Sequence, residues 1–413
     1  MNNLKLKTAR NISEEIVLLD ILSGSETPLR PLLEAVERNT TLTRIEGKDA
    51  APGQTGVGEK AKALAAEAVQ GDAAPDYARE LEQQFEDVNY LVRSNGKSPP
   101  PIDSVLGSLN SVRGFMMQIS DATKGNEKAL EVAINRMKGA GASDSIKGAQ
   151  MEFARQPEPF KSWFSSLTSS GSKLILASAR SEINTVWKTD VLAKYTAGLQ
   201  GRYPLYRNSP HDATMTDFSR FFMPNGTIDQ FFQNHLKEFI DTTPPRWRQL
   251  KKDNQGIGLS RAVLRQLQDA AKIRDAFFAG GGATPSVVFE LKPVYLDDRV
   301  TAVRLNIEGQ DTVYRHGPIR ATKFQWPGPQ TNAGVRLLFQ TVAGRQISHS
   351  EEGPWAFLRM LDKTTIESTN LRDRFKVTFH MDGFIARYEL RADSVYNPFK
   401  LLELQRFRCP ESF

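Results

Sequence analysis

The stretch that decides the reading is Gly280-Gly281-Gly282-Ala283-Thr284-Pro285-Ser286-Val287-Val288-Phe289-Glu290-Leu291. Before the glycine triplet the apolar residues keep helical time. After Ile257-Gly258-Leu259-Ser260 a helix is expected to carry Val263, Leu264, Leu267, Ile273 and Phe277, and the glycines end the run. Beyond the triplet the period falls to two, first in Val287-Phe289-Leu291, then in Val303-Leu305-Ile307 and Val335-Leu337-Phe339. A strand-rich domain therefore begins near Pro285.

Working back from that switch, the pattern is helical from Ser13 to about Ala279. Between Pro75 and Val92, Tyr77, Leu81, Phe85, Val88 and Val92 form a stripe that faces a core. Two segments rich in helix-stopping residues, Lys48 to Gly58 and Ser94 to Pro101, read as mobile connections. A long helix is expected from Ser172 through Leu199, stopped by Gly201-Arg202-Tyr203-Pro204, with a sub-domain boundary near Lys161 to Ser172. Working forward, Phe375 to Met381 and Phe384 to Leu390 alternate cleanly about Asp382-Gly383, which supplies the positive φ angles of a type I′ turn. Gly353-Pro354-Trp355 opens one short helix with Trp355, Leu358 and Leu361 on a shared face. Seven or eight short strands without crossover helices imply an antiparallel β-sandwich. The expected class is multidomain α + β: a helical domain over residues 1–165, a second over 166–283, and a sandwich with an extended tail over 284–413.

Bulk properties fit that division. At 413 residues the chain exceeds one core, given roughly 100 to 200 residues per domain. Hydrophobic residues make up 39% and charged residues 25%, and the mean hydropathy is -0.43, which describes a soluble, packed chain. No apolar run is long enough to span a bilayer, and the start lacks a hydrophobic signal core. The net charge is +6, but 54 basic residues are interspersed with 48 acidic ones, so a mixed solvated surface is favoured over nucleic-acid binding. The single cysteine, Cys409, excludes an internal disulfide or a thiolate metal cluster and reads as a small, partly buried side chain.

The sequence carries few motifs of known chemistry. Gly53-Gln-Thr-Gly-Val-Gly58-Glu59-Lys60-Ala61 suggests a phosphate loop, but Glu59 stands where lysine is needed and Ala61 has no hydroxyl for magnesium. It reads as a loop. His211, His235, His316, His349 and His380 form no pair at four-residue spacing, so a zinc site would need long-range folding, and His380 sits on the polar face of its strand. No Gly-x-Ser-x-Gly elbow occurs, and Glu351-Glu352 and Asp297-Asp298 read as loop charge. No catalytic residue, cofactor site or metal site is assigned. The block from Asp217 to Phe232, with five phenylalanines around Pro224 and Gly226, reads as hidden core in preference to an exposed patch.

Several ordered blocks carry a family likeness: Arg202-Tyr203-Pro204, Asp217 to Phe232, Trp247, Phe289-Glu-Leu291-Lys-Pro293, Ile307-Glu-Gly309-Gln310, Tyr314-Arg-His316-Gly317-Pro318, Trp326-Pro327-Gly328, Gly353-Pro354-Trp355-Ala-Phe357-Leu-Arg359, Asn397-Pro398-Phe399 and Phe407-Arg-Cys409-Pro410. In these the chain resembles the carboxy-terminal region of the TssM/IcmF family of type VI secretion membrane-complex proteins. The resemblance implies a non-enzymatic scaffold, the periplasmic segment of an inner-membrane protein. Its implied partners are the outer-membrane lipoprotein TssJ, the inner-membrane TssL and other TssM copies, with no nucleic acid and no cofactor. It also implies that the chain is an excised portion of a longer protein, with Met1 added as a start residue. For docking, the loops around Glu308, Gln310, Arg315, His316, Gln325 and Trp326 are the candidates, although Trp326-Pro327-Gly328 reads more readily as a rigid turn around a buried ring. The rival readings are a cell-wall-acting hydrolase or carbohydrate-binding module, which needs converging carboxylates or a His-carboxylate pair, and a nucleic-acid-binding protein, which needs Lys and Arg gathered on one face.

Overall fold

A computed structural model describes residues 6–42, 76–94, 96, 98–120, 124–140, 144–330, 333–371, 373–394 and 396–413. The expected connection at Lys48 to Gly58, and the glycine-rich stretch ending at Ala61, lie outside these residues. The chain divides into two compact units, Met1–Ala179 and Arg180–Phe413.

The first unit is helical. Its helices are Ile12–Ser23, Leu29–Thr40, Asp76–Tyr90, Pro101–Ser120, Gly125–Lys138 and Ser145–Phe153, followed by the start of Phe160–Val186. Asn11 Oδ1 accepts the Glu14 N–H and Asp144 Oδ1 accepts the Ile146 N–H, so side chains satisfy donors that a helix start leaves open. Ile102, Val105, Leu109, Val112 and Met116 line one face of Pro101–Ser120 and are buried. Pro101 begins this helix instead of ending a loop, because its missing N–H costs nothing at the first helical position. Of the expected stripe, Val88 is buried, Leu81, Phe85 and Val92 are half-buried, and Tyr77 is 70% exposed, so the stripe faces a core except at its first residue.

The long helix starts at Phe160 and passes through a π-helical segment, Trp187–Leu192, into Ala193–Gly198. The boundary expected at Lys161 to Ser172 thus falls inside a continuous helix; Phe160, Phe164 and Leu167 extend the buried stripe through serine-rich sequence. Helices Met215–Phe222 and Thr227–Phe231 follow, then a two-residue ribbon, β1 (Ile240–Asp241) with β2 (Arg248–Gln249), too short to show a period. Helix Arg261–Phe277 opens on Ser260, whose Oγ accepts the Val263 N–H, and it buries Val263, Leu264, Leu267, Ile273 and Phe277 as expected.

Among the described residues the remaining strands form two antiparallel sheets. They are β3 (Val287–Leu296), β4 (Val300–Ile307), β5 (Gln310–Tyr314), β6 (Thr322–Trp326), β7 (Val335–Thr341), β8 (Gln346–Glu351), β9 (Thr365–Ser368), β10 (Arg374–Met381) and β11 (Phe384–Ala392). One sheet has five strands in the order β6-β3-β11-β10-β9 and the other four in the order β5-β4-β7-β8. That exceeds the seven or eight expected, since β9 has only four residues and no clean alternation. Met381 pairs with Phe384 across Asp382 and Gly383, whose φ angles of 48° and 80° are those of the expected turn. Helix Ala356–Asp362 buries Phe357, Leu358, Met360 and Leu361, and Phe357 stacks on Phe289 of β3 at 5.1 Å.

The segments expected as separate domains, 166–283 and 284–413, lie largely in one compact unit. An aromatic seam is the reason. Trp355 contacts Phe218 at 4.9 Å and Trp326 at 5.3 Å, and Phe277 contacts Trp326 at 5.9 Å. Indoles and phenyls of this size bury enough apolar area to fuse what two shorter cores would leave apart.

Candidate functional site

The six candidate residues separate by burial. Glu308 and Trp326 are wholly buried and offer no surface to a partner. The Trp326 ring belongs to the seam, as its reading as a rigid buried turn requires. Glu308 ends the β4–β5 hairpin with φ of 46°, and this backbone turn aims its carboxylate inward. Its Oε2 accepts the Gly328 N–H at 2.5 Å, and a side chain at Gly328 would strike Glu308 Cβ at 2.7 Å. Burial pushes the Glu308 pKa up, opposed by the Gly328 N–H. Trp326 Nε1 lies close enough to favour the charged carboxylate, yet neither it nor Glu308 Oε1 completes a hydrogen bond.

Gln310 and Gln325 work as a pair. Gln310 Nε2 donates to the Gln325 carbonyl at 2.7 Å, and the Gln325 N–H donates to Gln310 Oε1 at 2.9 Å. A side-chain amide here takes the place of a neighbouring strand and joins β5 of one sheet to β6 of the other. Thr312 Oγ1 meets Thr322 Oγ1 at 3.0 Å further along the same edge.

Arg315 and His316 remain outward. His316, at φ of 55°, donates through Nε2 to the Val300 carbonyl at 2.7 Å, which holds the base of an exposed run from Arg315 to Arg320. Ile319 in that run is 50% exposed. Beside it, the Val342 N–H donates to the Arg299 carbonyl and Arg299 Nη2 to the Gly383 carbonyl, so three turns gather at this end of the sandwich.

The blocks that carry the family likeness are the stitches of the second unit. Tyr203 O–H donates to Asp362 Oδ2 at 3.0 Å, Trp355 Nε1 to the Ala213 carbonyl at 2.7 Å, and Arg359 pairs with Asp212 while its guanidinium covers the Tyr203 ring at 4.0 Å. Burial and the facing Asp362 carboxylate raise the Tyr203 pKa, which keeps this hydroxyl a donor. The tail beyond Asn397 is held equally closely. Arg406 grips the buried Asp269 through two hydrogen bonds, Arg408 donates to the Leu205 carbonyl, and Trp187 Nε1 donates to the Pro410 carbonyl at 2.6 Å. Phe413 sits against Trp187 at 4.7 Å; its N–H donates to Asn184 Oδ1 and its carbonyl accepts from Arg180. Cys409 is buried in this tail, and burial pushes its thiol pKa well up.

The phenylalanine block is core: Phe218, Phe221, Phe222, Phe231 and Phe239 are all buried. Phe232 alone is half-exposed, against Trp247, and both line a cavity of about 180 Å³. His380 is exposed on its strand, as read. Among the described residues no group of three or more His, Cys, Asp or Glu side chains is placed to hold a metal ion, and no helix is long and apolar enough to cross a membrane. Sequence reasoning missed Asp212, Asp269 and Arg180. Each finds its partner more than a hundred residues away, a separation at which periodicity carries no signal.

Comparison with known proteins agrees with this architecture. Residues 289–394 match the type VI secretion protein IcmF C2-like domain, and residues 178–283 match the IcmF helical domain. The type VI secretion system component TssM1 of Pseudomonas aeruginosa is 34% identical over 97% of this chain, which spans 37% of that protein's length. A solved type VI secretion system membrane core complex contains a chain matching all of this one at 19% identity with a TM-score of 0.74, 80% of that chain being covered. The carboxy-terminal domain of TssM from EAEC matches 57% of this chain at 23% identity with a TM-score of 0.52, over 98% of its own length. With the sandwich following the helical segment in the same order, the chain belongs to the TssM/IcmF family of type VI secretion proteins and corresponds to its carboxy-terminal region.

Proposed function

We propose that this chain acts as a periplasmic, non-enzymatic scaffold, the part of its subunit that links the inner membrane to the outer-membrane lipoprotein TssJ, with TssL and other TssM copies as its further partners. The loop from Arg315 to Arg320 supports this reading best: it is exposed along its length yet fixed at its base by His316 on the Val300 carbonyl. A partner meeting it would find Arg315 and Ile319 already positioned, so little ordering entropy opposes docking. Of the six candidate residues, Arg315, His316 and Gln325 are exposed, Gln310 is half-buried, and Glu308 and Trp326 are buried; Gln310 and Gln325 bind each other at the other end of β5 and β6. The test is calorimetric titration of the 413-residue chain with a TssJ-type lipoprotein lacking its lipid. Replacing Arg315 and Ile319 together by alanine is expected to weaken binding by about ten-fold or more. Unchanged affinity would move the docking site away from this loop, and no binding by the unaltered chain would remove TssJ as a direct partner.

A further inference from the structure

A sandwich has strand edges, and three of the four here are attended to. β5 and β6 are joined by Gln310 and by the Thr312–Thr322 contact. β9 is short, and Lys400 Nζ donates to its Ile366 carbonyl and Ser368 hydroxyl. The remaining edge, β8, pairs with β7 over six residues without a bulge, and its sequence Gln-Ile-Ser-His-Ser-Glu contains neither lysine nor proline. Such edges are the ones that natural sheets ordinarily blunt.

The direction of each peptide group on β8 follows from its neighbour. The Thr341 N–H donates to the Arg345 carbonyl, so Arg345 and the alternate residues after it, Ile347, His349 and Glu351, face β7. Gln346, Ser348 and Ser350 therefore present their N–H and C=O groups outward. Among the described residues none of these groups meets a partner.

We infer that this edge binds the same edge of a second copy, β8 against β8, antiparallel about a two-fold axis at Ser348. That register sets Ser348 opposite Ser348 and Gln346 opposite Ser350, all outward-facing, and gives about six main-chain hydrogen bonds. It also sets Ile347 opposite His349 and, one step further, Arg345 opposite Glu351 on both sides of the axis; the Glu351 carboxylate is 11% exposed and already holds Lys363 and His349, so Arg345 of the second copy would join it as a further cation. Arg345 can reach it: its side chain is 66% exposed and, among the described residues, its guanidinium pairs with Asp382, itself 60% exposed, at 3.4 Å. Moving the axis one residue to His349 would face His349 with His349 and Glu351 with Ile347, losing the charge match. The strand is complementary to itself in one register.

A ribbon of this length closes readily where copies are already gathered, so the inference rests on the proposed scaffold function in that one respect. Disulfide trapping tests it in the full chain. Ser348→Cys places two thiols across the axis at the roughly 5.5 Å Cα separation of a hydrogen-bonded pair, within reach of a disulfide. Gln346→Cys, on the same exposed face, stands about 13 Å from its counterpart and serves as the control. The native Cys409 is buried with a raised pKa and stays silent. Under mild oxidation Ser348→Cys should cross-link at least about ten-fold faster than Gln346→Cys. Adding Arg345→Glu, which opposes Glu351 with a like charge, should slow it several-fold. Equal rates for the two cysteines, or indifference to Arg345→Glu, would overturn the pairing. Titration with the lipoprotein, which touches neither position, reports separately on the docking loop.

Discussion

Trp355 shows what single residues carry in this unit. It is buried, touches Phe218, Phe277 and Trp326, and donates its Nε1–H to Ala213, so Trp355→Ala removes both a ring and the partner of a buried carbonyl. We expect a loss of about 3 to 5 kcal/mol, read from urea denaturation followed by far-ultraviolet circular dichroism. Glu308 makes a different prediction. Because burial raises its pKa, the folded state holds a proton to higher pH than the unfolded chain does. Between the ordinary carboxyl range and the raised value the folded state binds more protons, so stability falls as pH rises through that window. Glu308→Gln carries no charge and should show no such fall; its stability relative to the unaltered chain should rise from about pH 4 to pH 8 in urea titrations, and a constant difference would refute this. Trp326 was legible in the sequence as a buried ring at a turn. The inward turn of Glu308 was not, since a glutamate beside a glycine ordinarily faces water and the groups that make burial tolerable, the Gly328 N–H and the Trp326 ring N–H, lie some twenty residues on.

At the scale of elements, what was legible is what local chemistry dictates. The Asp382-Gly383 turn, the Ser260 cap and the helix from Arg261 to Phe277 stand where spacing and turn residues place them. Gly383→Ala puts a Cβ at φ of 80° and is expected to cost about 1 to 2 kcal/mol, measured as a lowered thermal midpoint. The start of the long helix was misplaced because Ser162, Ser165, Ser166, Ser169 and Ser170 weaken the pattern, while Phe160 and Phe164 still drive the segment to pack. The join between β5 and β6 had no signal at all: a glutamine that imitates a strand looks like any other polar residue. Gln310→Ala should leave the Gln325 N–H and carbonyl unpaired, costing about 1 to 2 kcal/mol. Amide hydrogen exchange across Thr322–Trp326 should quicken accordingly, with the rest of the five-stranded sheet unchanged.

Across the whole second unit, the partition into helical and strand segments was readable from the change in apolar period, but their union in one core was not. Periodicity tells which face of an element is buried and is silent on what covers it. The seam of Phe218, Phe277, Trp326 and Trp355 decides that, and it yields a clear expectation for fragments. Residues 180–413 should fold alone, with sharp near-ultraviolet circular dichroism, whereas 284–413 should expose Trp326 and Trp355 and bind the dye ANS. The stitches also have a mechanical meaning. The strand segment is tied to the helical segment at Trp355 and Arg359, and again along the tail from Asn397 to Phe413, once on each side of the Asp382-Gly383 hairpin. Tension applied between Arg180 and the sandwich divides over two attachments in parallel, and neither can peel open without loading the other. Stretched in an optical trap, this half of the chain should yield in a single rip, as a rivet with two shanks fails once.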